Sequence, residues 1–440
     1  MSRGWRLAAV LALAAGPVRA QAPADTALGG FLGGLADSTD RYFGFTATPL
    51  DTAGLDSALA DRLKRPWTEP LDSRRFEISW GPWMQFNRVE GTLWGGTLGI
   101  GREGRIGVLA GRIGWAAGPN QLRGGPEYRL TRERRENTWR FAVFAGRLSE
   151  SMDREHHGRW LSMVRALVAG SDHSHYLLRD GVRARLERET SGLRLGLGYR
   201  DQLETPLATT TTWNLLDHVL DPVFNLAATR GRARELEARA TARVPRTPFQ
   251  TEAAFQVTSP RLGGAFAYRR YRFALAGDLP LAHRASLVPQ LLWGRLDGDP
   301  VRQSSFFIGG ARTLRSVQSG VAGGTAIALA RLDLIGDADL LSVLRIPHPD
   351  AFSFQAGAFA GIGAAWGRDP YGGPTKPGRN FPQRDAWLSE VGFSLLYRPG
   401  LPEPDGFLRF DVAQPLGPDD RSVRFVISYG RVIDLLKPLE

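Results

Sequence analysis

From residue 76 onward, apolar and polar side chains alternate with a period of two. In residues 193–200 the odd positions are leucine or tyrosine and the even positions are arginine or glycine, and residues 231–245 and 179–189 alternate with charged residues on the polar face. This period is that of a β-strand whose two faces meet different surroundings. Because every buried charge needs a partner, so many charges on one face do not suit the core of a soluble sandwich. A barrel with a hydrated interior accommodates them.

Such alternating runs of about 8–12 residues, separated by turn residues, are typical of membrane-spanning strands. The candidate strands lie near residues 76–81, 92–102, 104–117, 121–135, 137–151, 176–190, 192–206, 231–245, 248–259, 266–279, 285–299, 324–336, 352–366, 386–398, 406–415 and 422–433. An even number of strands lets the first and last strands meet antiparallel. We therefore predict an all-β fold, a closed transmembrane antiparallel β-barrel of about 16 strands over residues 75–435.

The lengths of the connections predict which end of the barrel faces outward. Short turns such as 102–104 and 417–420 contrast with longer connections at 152–175, 207–230, 300–323 and 367–385. Short periplasmic turns that alternate with long outer loops produce this asymmetry. Residues 160–168, in the first long connection, have an apolar helical pattern, which predicts either a cap over the barrel mouth or a helix packed on the rim.

The N-terminus predicts export. Arg3 and Arg6 precede an apolar run over residues 7–15 and a small-residue exit that ends at Ala20, so residues 1–20 read as a signal peptide. The apolar run is too short for a transmembrane helix, and no later stretch approaches the roughly 20 apolar residues that a helical span needs. Residues 21–74 predict a short periplasmic tether or a small plug, with helical spacing over residues 55–63. We expect the mature chain in the bacterial outer membrane.

The cysteine content and the charge of the chain exclude several kinds of binding site. The chain has no cysteine, which excludes a disulfide framework and a thiolate metal site. Its 56 Lys+Arg and 45 Asp+Glu give a net charge of +11, but the arginines recur at alternate strand positions instead of forming a cluster. This pattern indicates a basic interior or rim and argues against nucleic-acid binding.

Two motifs suggest chemistry, and both have a simpler interpretation. Residues 99–104 match the dinucleotide-binding pattern GxGxxG, but no helix pattern follows, so we predict a hairpin turn and no bound cofactor. Residues 172–175, with His156 and His157 nearby, contain histidine and serine that suit a metal site or a Ser–His pair. Since these residues lie in one polar loop without an identifiable acidic orienter, we assign neither a catalytic residue nor a metal ligand.

The connection before the twelfth predicted strand is the most informative segment. Phe307 is followed by the adjacent glycines Gly309 and Gly310, which permit a tight backbone turn, and then by Arg315. Arg315 would form a positive loop tip able to fold into a hydrated lumen. The alternative is an ordinary outer loop with an exposed arginine.

These residues resemble the BamA-type superfamily of bacterial surface antigens, which includes protein-insertion barrels and two-partner-secretion transporters. In that family the same loop carries a phenylalanine, a Gly-Gly pair and an Arg-Gly-aromatic tip, and it folds into the barrel. Phe307, Gly309, Gly310 and Arg315 match this pattern, whereas serine and valine follow the arginine at residues 316–317.

The resemblance extends over residues 285–433. Residues 359–366 are similar to the family's thirteenth-strand pattern Phe-x-Asp-x-Gly-x-x-Trp, but Gly361 stands where the family has the acid that helps to hold the loop arginine. Residues 389–393 and 406–416 are similar to the last-but-two and last-but-one strands. Residues 86–91 have a fainter likeness to surface-antigen barrels from other bacterial groups.

The resemblance implies that residues 304–323 fold inward, where Arg315 needs an anion. Glu390, Asp333 and Asp411 are the candidate partners by position and by predicted facing. The family also implies protein or lipid insertion or translocation, but residues 21–74 leave no room for the periplasmic client-binding domains of its polypeptide-handling members. We therefore expect a surface-antigen-type barrel in contact with outer-membrane lipid, its client or periplasmic partner unidentified. A passive channel or structural barrel is the alternative, and an outer-membrane lipid hydrolase is a third class.

Overall fold

The computed structural model describes residues 77–430, with gaps at 103, 105, 135–136, 153–162, 165, 169–171, 173, 216–223, 282–284, 320–321, 350–351, 379–380, 398–406 and 418–421. The signal peptide predicted at residues 1–20, the tether or plug predicted at 21–74, and His156, His157 and His173 lie outside the described residues. Among the residues that are described, no helix is both long enough and apolar enough to cross a membrane.

The described chain is built almost entirely of strands. They are β1 (Glu77–Asn87), β2 (Gly91–Arg102), β3 (Gly107–Ala116), β4 (Gln121–Arg134), β5 (Asn137–Ser151), β6 (Tyr176–Glu189), β7 (Leu193–Pro206), β8 (Gly231–Arg243), β9 (Phe249–Thr258), β10 (Ala267–Gly277), β11 (Leu279–Leu281), β12 (Ala285–Asp299), β13 (Phe306–Ile308), β14 (Ala322–Gly324), β15 (Ala326–Asp339), β16 (Phe354–Trp366), β17 (Leu388–Tyr397), β18 (Phe407–Leu416) and β19 (Arg424–Gly430). One short helix, Leu340–Val343, follows β15.

From β1 to β10, each strand pairs antiparallel with the next strand in sequence. β10 and β11 both pair with β12, so they form one interrupted strand. From β12 the sheet continues through β15 to β19, while β13 and β14 form a separate hairpin. The main sheet thus has 16 barrel strands in chain order, which confirms the predicted fold class.

The predicted closure of the sheet is not observed. β1 and β19 are the end strands, and the described residues give no hydrogen-bonded pairing between them. β19 has only seven residues against 11 in β1, so it offers few groups for pairing. β1 also runs to Asn87 rather than ending at residue 81, because a strand at a sheet edge tolerates Pro82, which lacks a backbone donor.

The long connections share one end of the sheet. Successive barrel strands run in opposite directions, so the connections that follow the first, third, fifth and every further odd-numbered barrel strand lie at the same end. In this count β10 and β11 are one strand and β13 and β14 are left out, so β12 is the eleventh barrel strand and β16 the thirteenth. These include residues 152–175, 207–230, 300–325 and 367–387. Long loops of membrane barrels face outward, so this is called the outer end and the opposite one the inner end.

The two faces of the sheet differ as the alternation predicts. Outward-facing apolar side chains such as Trp80, Leu197 and Phe425 are highly exposed, whereas inward-facing Arg179 and Glu204 are buried. A surface that is apolar outside and charged inside fits a wall between lipid and a polar lumen. The core that matters for function therefore lies inside the barrel.

Candidate functional site

The lumen loop, residues 300–325 without 320–321, enters the barrel between β12 and β15. Its β13–β14 hairpin places Phe306, Phe307 and Ile308 in fully buried positions. Phe306 and Ile308 join one apolar cluster with Leu292 of β12 and Leu329 of β15. Apolar packing against the inner wall therefore holds the base of the loop.

The Gly-Gly pair turns the chain at the tip. Gly309 and Gly310 have φ angles of +127° and +90°, a backbone conformation that residues with a side chain rarely adopt. The Gly309 amide donates to the Thr313 hydroxyl at 2.7 Å, and the Gly310 amide donates to the Val317 carbonyl at 2.8 Å. These bonds return the chain on itself and leave Leu314 and Arg315 pointing deeper into the lumen, where both are buried.

Arg315 meets carboxylates from two strands. Its Nη2 donates to Asp333 Oδ1 of β15 at 2.7 Å, and its Nε lies 3.4 Å from Asp411 Oδ2 of β18. The guanidinium carbon also lies 3.9 Å from the ring centre of Phe359 on β16, a cation–π arrangement. Only 1% of the Arg315 side chain is exposed, so the alternative of an outer loop with an exposed arginine is wrong.

Two further arginines share the same carboxylates. Arg409 Nη2 donates to Asp333 at 2.6 Å, and its Nε donates to Asp411 at 2.7 Å. Arg331 donates to Asp333 at 3.3 Å and to the backbone carbonyl of Arg312 in the loop at 2.6 Å. We call Arg315, Arg331, Arg409, Asp333 and Asp411 the Arg315 clamp.

The sequence prediction did not include Arg331 and Arg409. A signal was present, because each stands two residues before an aspartate of the clamp, in Arg331-Leu332-Asp333 and Arg409-Phe410-Asp411. Residues two apart in a strand share a face. An Arg-x-Asp doublet on two inward-facing strands therefore marks a place where charges converge.

Glu390 holds the loop in a different way. Its carboxylate accepts a hydrogen bond from the Ser316 backbone amide at 2.6 Å. It thus binds the loop one residue beyond Arg315, whereas Asp333 and Asp411 bind the arginine itself. All three predicted carboxylates contact the tip or its arginine; their functional role remains a proposal.

Gly361 stands where the family that the sequence resembles has an acid, and the loop is held by other carboxylates. A Cβ built on Gly361 would lie 3.0 Å from Leu314 Cδ2 and 3.2 Å from Glu390 Oε1. The space above this residue is thus filled by the loop and by a carboxylate from β17. The acids of β15 and β18 contact the arginine instead.

A second set of inward charges lies on β5–β10, where arginine and glutamate pair along the wall. We call these pairs the charge ladder: Arg140–Glu189–Arg194, Arg179–Glu150–Arg183, Arg179–Glu204, Arg200–Glu235, Arg239–Glu237 and Arg272–Glu252. The ladder contacts the loop through Gln303, whose side-chain amide donates to Glu204 at 2.9 Å.

The outer end carries a buried polar cluster that the sequence did not predict. The Arg88 amide donates to Asp172 at 3.0 Å, and its guanidinium donates to the Ser174 carbonyl at 2.5 Å. His175 Nδ1 accepts from the Leu226 amide at 3.1 Å, so its Nε2 donates to the Tyr371 hydroxyl at 2.9 Å. The cluster ties four connections together across the barrel mouth.

Burial raises the pKa of the Asp172 carboxyl, although the neighbouring Arg88 guanidinium opposes this shift. Its contacts with Arg88 span 84 residues of sequence, so no local pattern could reveal them. His175 and Ser174, the residues considered above for catalysis or metal binding, serve here as contacts between loops. Within the described ranges, no group of three or more metal-ligating side chains is found.

The helical pattern predicted for residues 160–168 falls partly outside the described residues. Met163, Val164 and residues 166–168 are helical, and Ala166 is buried. The Leu167 carbonyl accepts from the Leu215 amide of the next long connection at 2.9 Å. The GxGxxG segment forms the predicted hairpin, since Arg102 of β2 pairs with Gly107 of β3.

Antiparallel strands with an apolar outer face and a charged inner face define a membrane-spanning β-barrel of the bacterial outer-membrane type. The chain is similar to BamA from Haemophilus ducreyi lacking POTRA domains 1–3, with 13% identity, 81% of this chain and 70% of that chain covered, and a TM-score of 0.47. It is also similar to CdiB from Acinetobacter baumannii (11%, 80% and 59%, TM-score 0.41) and to OprD from Pseudomonas aeruginosa (12%, 80% and 90%, TM-score 0.37). The chain spans about three fifths of the CdiB chain. No protein-family model and no curated protein matches it.

Proposed function

We propose that this protein is a gated outer-membrane barrel that inserts or translocates a protein or lipid client, with the lumen loop as its plug. The observation that carries the proposal is the burial of Arg315 inside the barrel, in contact with strands β15, β16 and β18. A loop that only joined two strands would need no such contacts. The clamp holds the plug in the resting state.

Several buried contacts at the loop tip hold the plug together. Three guanidinium groups, those of Arg315, Arg331 and Arg409, share the carboxylates of Asp333 and Asp411. Glu390 holds the Ser316 backbone amide beside them. Removing one partner from a buried ionic group costs about 3–5 kcal/mol, because a charge is left without compensation. Release therefore requires that water or a client replaces these contacts together.

The second candidate function is a passive channel, and the charge ladder favours it. Charged side chains along an inner wall are typical of barrels that conduct water and solutes. The two functions differ in the resting state, since a passive channel conducts without any change in the loop.

Ion conductance across a planar bilayer tests the proposal. We expect the wild-type protein to be closed at rest, and Arg315→Ala to produce openings because the plug loses its anchor. Arg188→Ala is the control, since Arg188 of β6 faces outward over Trp139, away from the lumen loop, and it should leave the barrel closed.

Steady conductance of the wild-type protein would favour the passive channel. Equally negligible conductance of wild type and Arg315→Ala would contradict gating by the clamp. If the variant opens, crosslinking from the lumen loop in whole cells should then capture the client, and its chemical class decides between protein and lipid.

A further inference from the structure

The outer surface of the barrel differs around its circumference near the outer end. On β15–β19 and β1–β3, the described outward-facing positions in the outer half carry no charged side chain; they hold residues such as Trp94, Ile113 and Phe425. This side contains the two end strands of the sheet. The opposite side, from β5 to β12, does carry charged side chains at such positions.

On that side, charged residues face outward at the outer ends of the strands. We call this set the arginine belt: Arg147, Asp180, Asp201, Arg232, Arg234, Arg269, Arg295 and Asp297. Pairing places them side by side, since Arg147 is opposite Asp180, Asp201 is opposite Arg234, and Arg269 is opposite Asp297. Directly below the belt the outward residues are apolar.

Arginines outnumber aspartates in the belt, five to three. Asp201 alone accepts from two guanidinium groups, those of Arg232 at 2.6 Å and Arg234 at 3.1 Å. More than half of the Arg232 side chain is exposed. Arg269 is exposed as well, and the described residues give it no carboxylate partner. The belt therefore presents unused donors to whatever surrounds the barrel.

The position of the belt identifies its surroundings. Leu197, Leu236, Phe273 and Trp293 are outward-facing and exposed just below it, so they mark the hydrocarbon layer. The belt thus lies at the depth of the lipid headgroups in the outer leaflet. A guanidinium fork fits two oxygens of one phosphate, and such charge-assisted pairs are the stronger kind.

We propose that the arginine belt binds the phosphate groups of a glycolipid of the outer leaflet. Binding on β5–β12 alone would order lipid on one side of the barrel and leave the side with β1 and β19 facing lipid that no ionic contact fixes. Lipid binding at the arginine belt would occur on the outer surface, so it does not depend on the function proposed for the lumen loop.

The test compares two lipids on the full-length protein. Purified wild-type protein is titrated with a diphosphorylated glycolipid and with its dephosphorylated form, and binding is measured by native mass spectrometry. We expect preference for the phosphorylated lipid and an affinity about tenfold lower for the Arg232→Gln/Arg234→Gln/Arg269→Gln variant. Arg188→Gln is the matched control, because Arg188 faces outward at the inner end, over Trp139, and should not change the affinity.

A second variant keeps the inference testable if the triple variant does not fold. Asp201→Asn removes the carboxylate that occupies Arg232 and Arg234, so it should raise the affinity for the phosphorylated lipid. Equal binding of the two lipids to the wild-type protein would overturn the proposal. So would unchanged affinity in both the triple variant and Asp201→Asn.

Discussion

The lumen has two charged regions that are built differently. In the Arg315 clamp, side chains from β15, β18 and the lumen loop converge on two aspartates, and these groups are almost fully buried. In the charge ladder, arginine and glutamate pair within a strand or across neighbouring strands, and several side chains are partly exposed, such as Arg239 and Glu237 of β8. Convergence joins a loop to the wall, whereas distributed pairs mainly stabilise the wall itself. The same residue types thus serve two purposes inside one barrel.

The largest effect should follow from Asp333→Asn. Asp333 accepts from three arginines, so the substitution leaves buried cations uncompensated and should lower the free energy of unfolding by about 4 kcal/mol. Urea unfolding in detergent micelles measures it. Asp297→Asn on the outer face of β12 is the control. A similar loss of unfolding free energy in both variants would mean that the clamp stabilises the fold no more than an exposed ion pair does.

A smaller loss, about 2–3 kcal/mol, is expected for Gly361→Asp. This change restores the acid of the resembling family, but its Cβ would press on Leu314 and its charge would lie beside Glu390. Gly361→Ala separates the two effects, since it adds only the Cβ. A Gly361→Asp variant more stable than wild type would show that the loop can still use an acid from β16.

In the charge ladder, Glu204→Gln should cost about 1–2 kcal/mol. Glu204 is buried and accepts from Arg179 at 3.0 Å and from Gln303, so the loss includes one contact with the base of the loop. Combined with Asp333→Asn the losses should add, because the two sites share no partner. A clearly non-additive double variant would mean that the two regions act as one.

The smallest effect should be that of Glu237→Gln, below about 1 kcal/mol, because its pair with Arg239 is about a quarter exposed and is screened by water. The same unfolding experiment measures it. A loss as large as that of Glu204→Gln would show that burial does not rank the members of the ladder.

Much of the fold was predictable because each strand carries its own alternation. The inward facing of Arg315, Asp333 and Asp411 followed from that alternation together with the family's loop pattern. The alternation did not predict which acid binds which group of the loop. Whether Glu390 binds Arg315 or the Ser316 amide depends on how deep the loop lies.

Contacts between connections that are far apart in sequence could also not be predicted. The Arg88–Asp172 contact joins a tight turn to a long loop, and neither segment has a period that reveals the other. The open sheet between β1 and β19 was not predicted because alternation fixes the facing of a strand and says nothing about its pairing. Sequence patterns thus report what each strand faces, while loop packing decides what meets in the lumen.

The lumen loop lies inside the barrel, and the Arg315 clamp holds it there. The chain has no cysteine, so a single Ser316→Cys thiol can be followed without background. Its labelling rate with a maleimide should be far lower than that of Ser191→Cys, an exposed position in the turn after β6, and should rise when Asp333→Asn is added. If Ser316→Cys is labelled as fast as Ser191→Cys in the otherwise unchanged protein, the loop is not held in the lumen, which would contradict a plug fixed by the clamp.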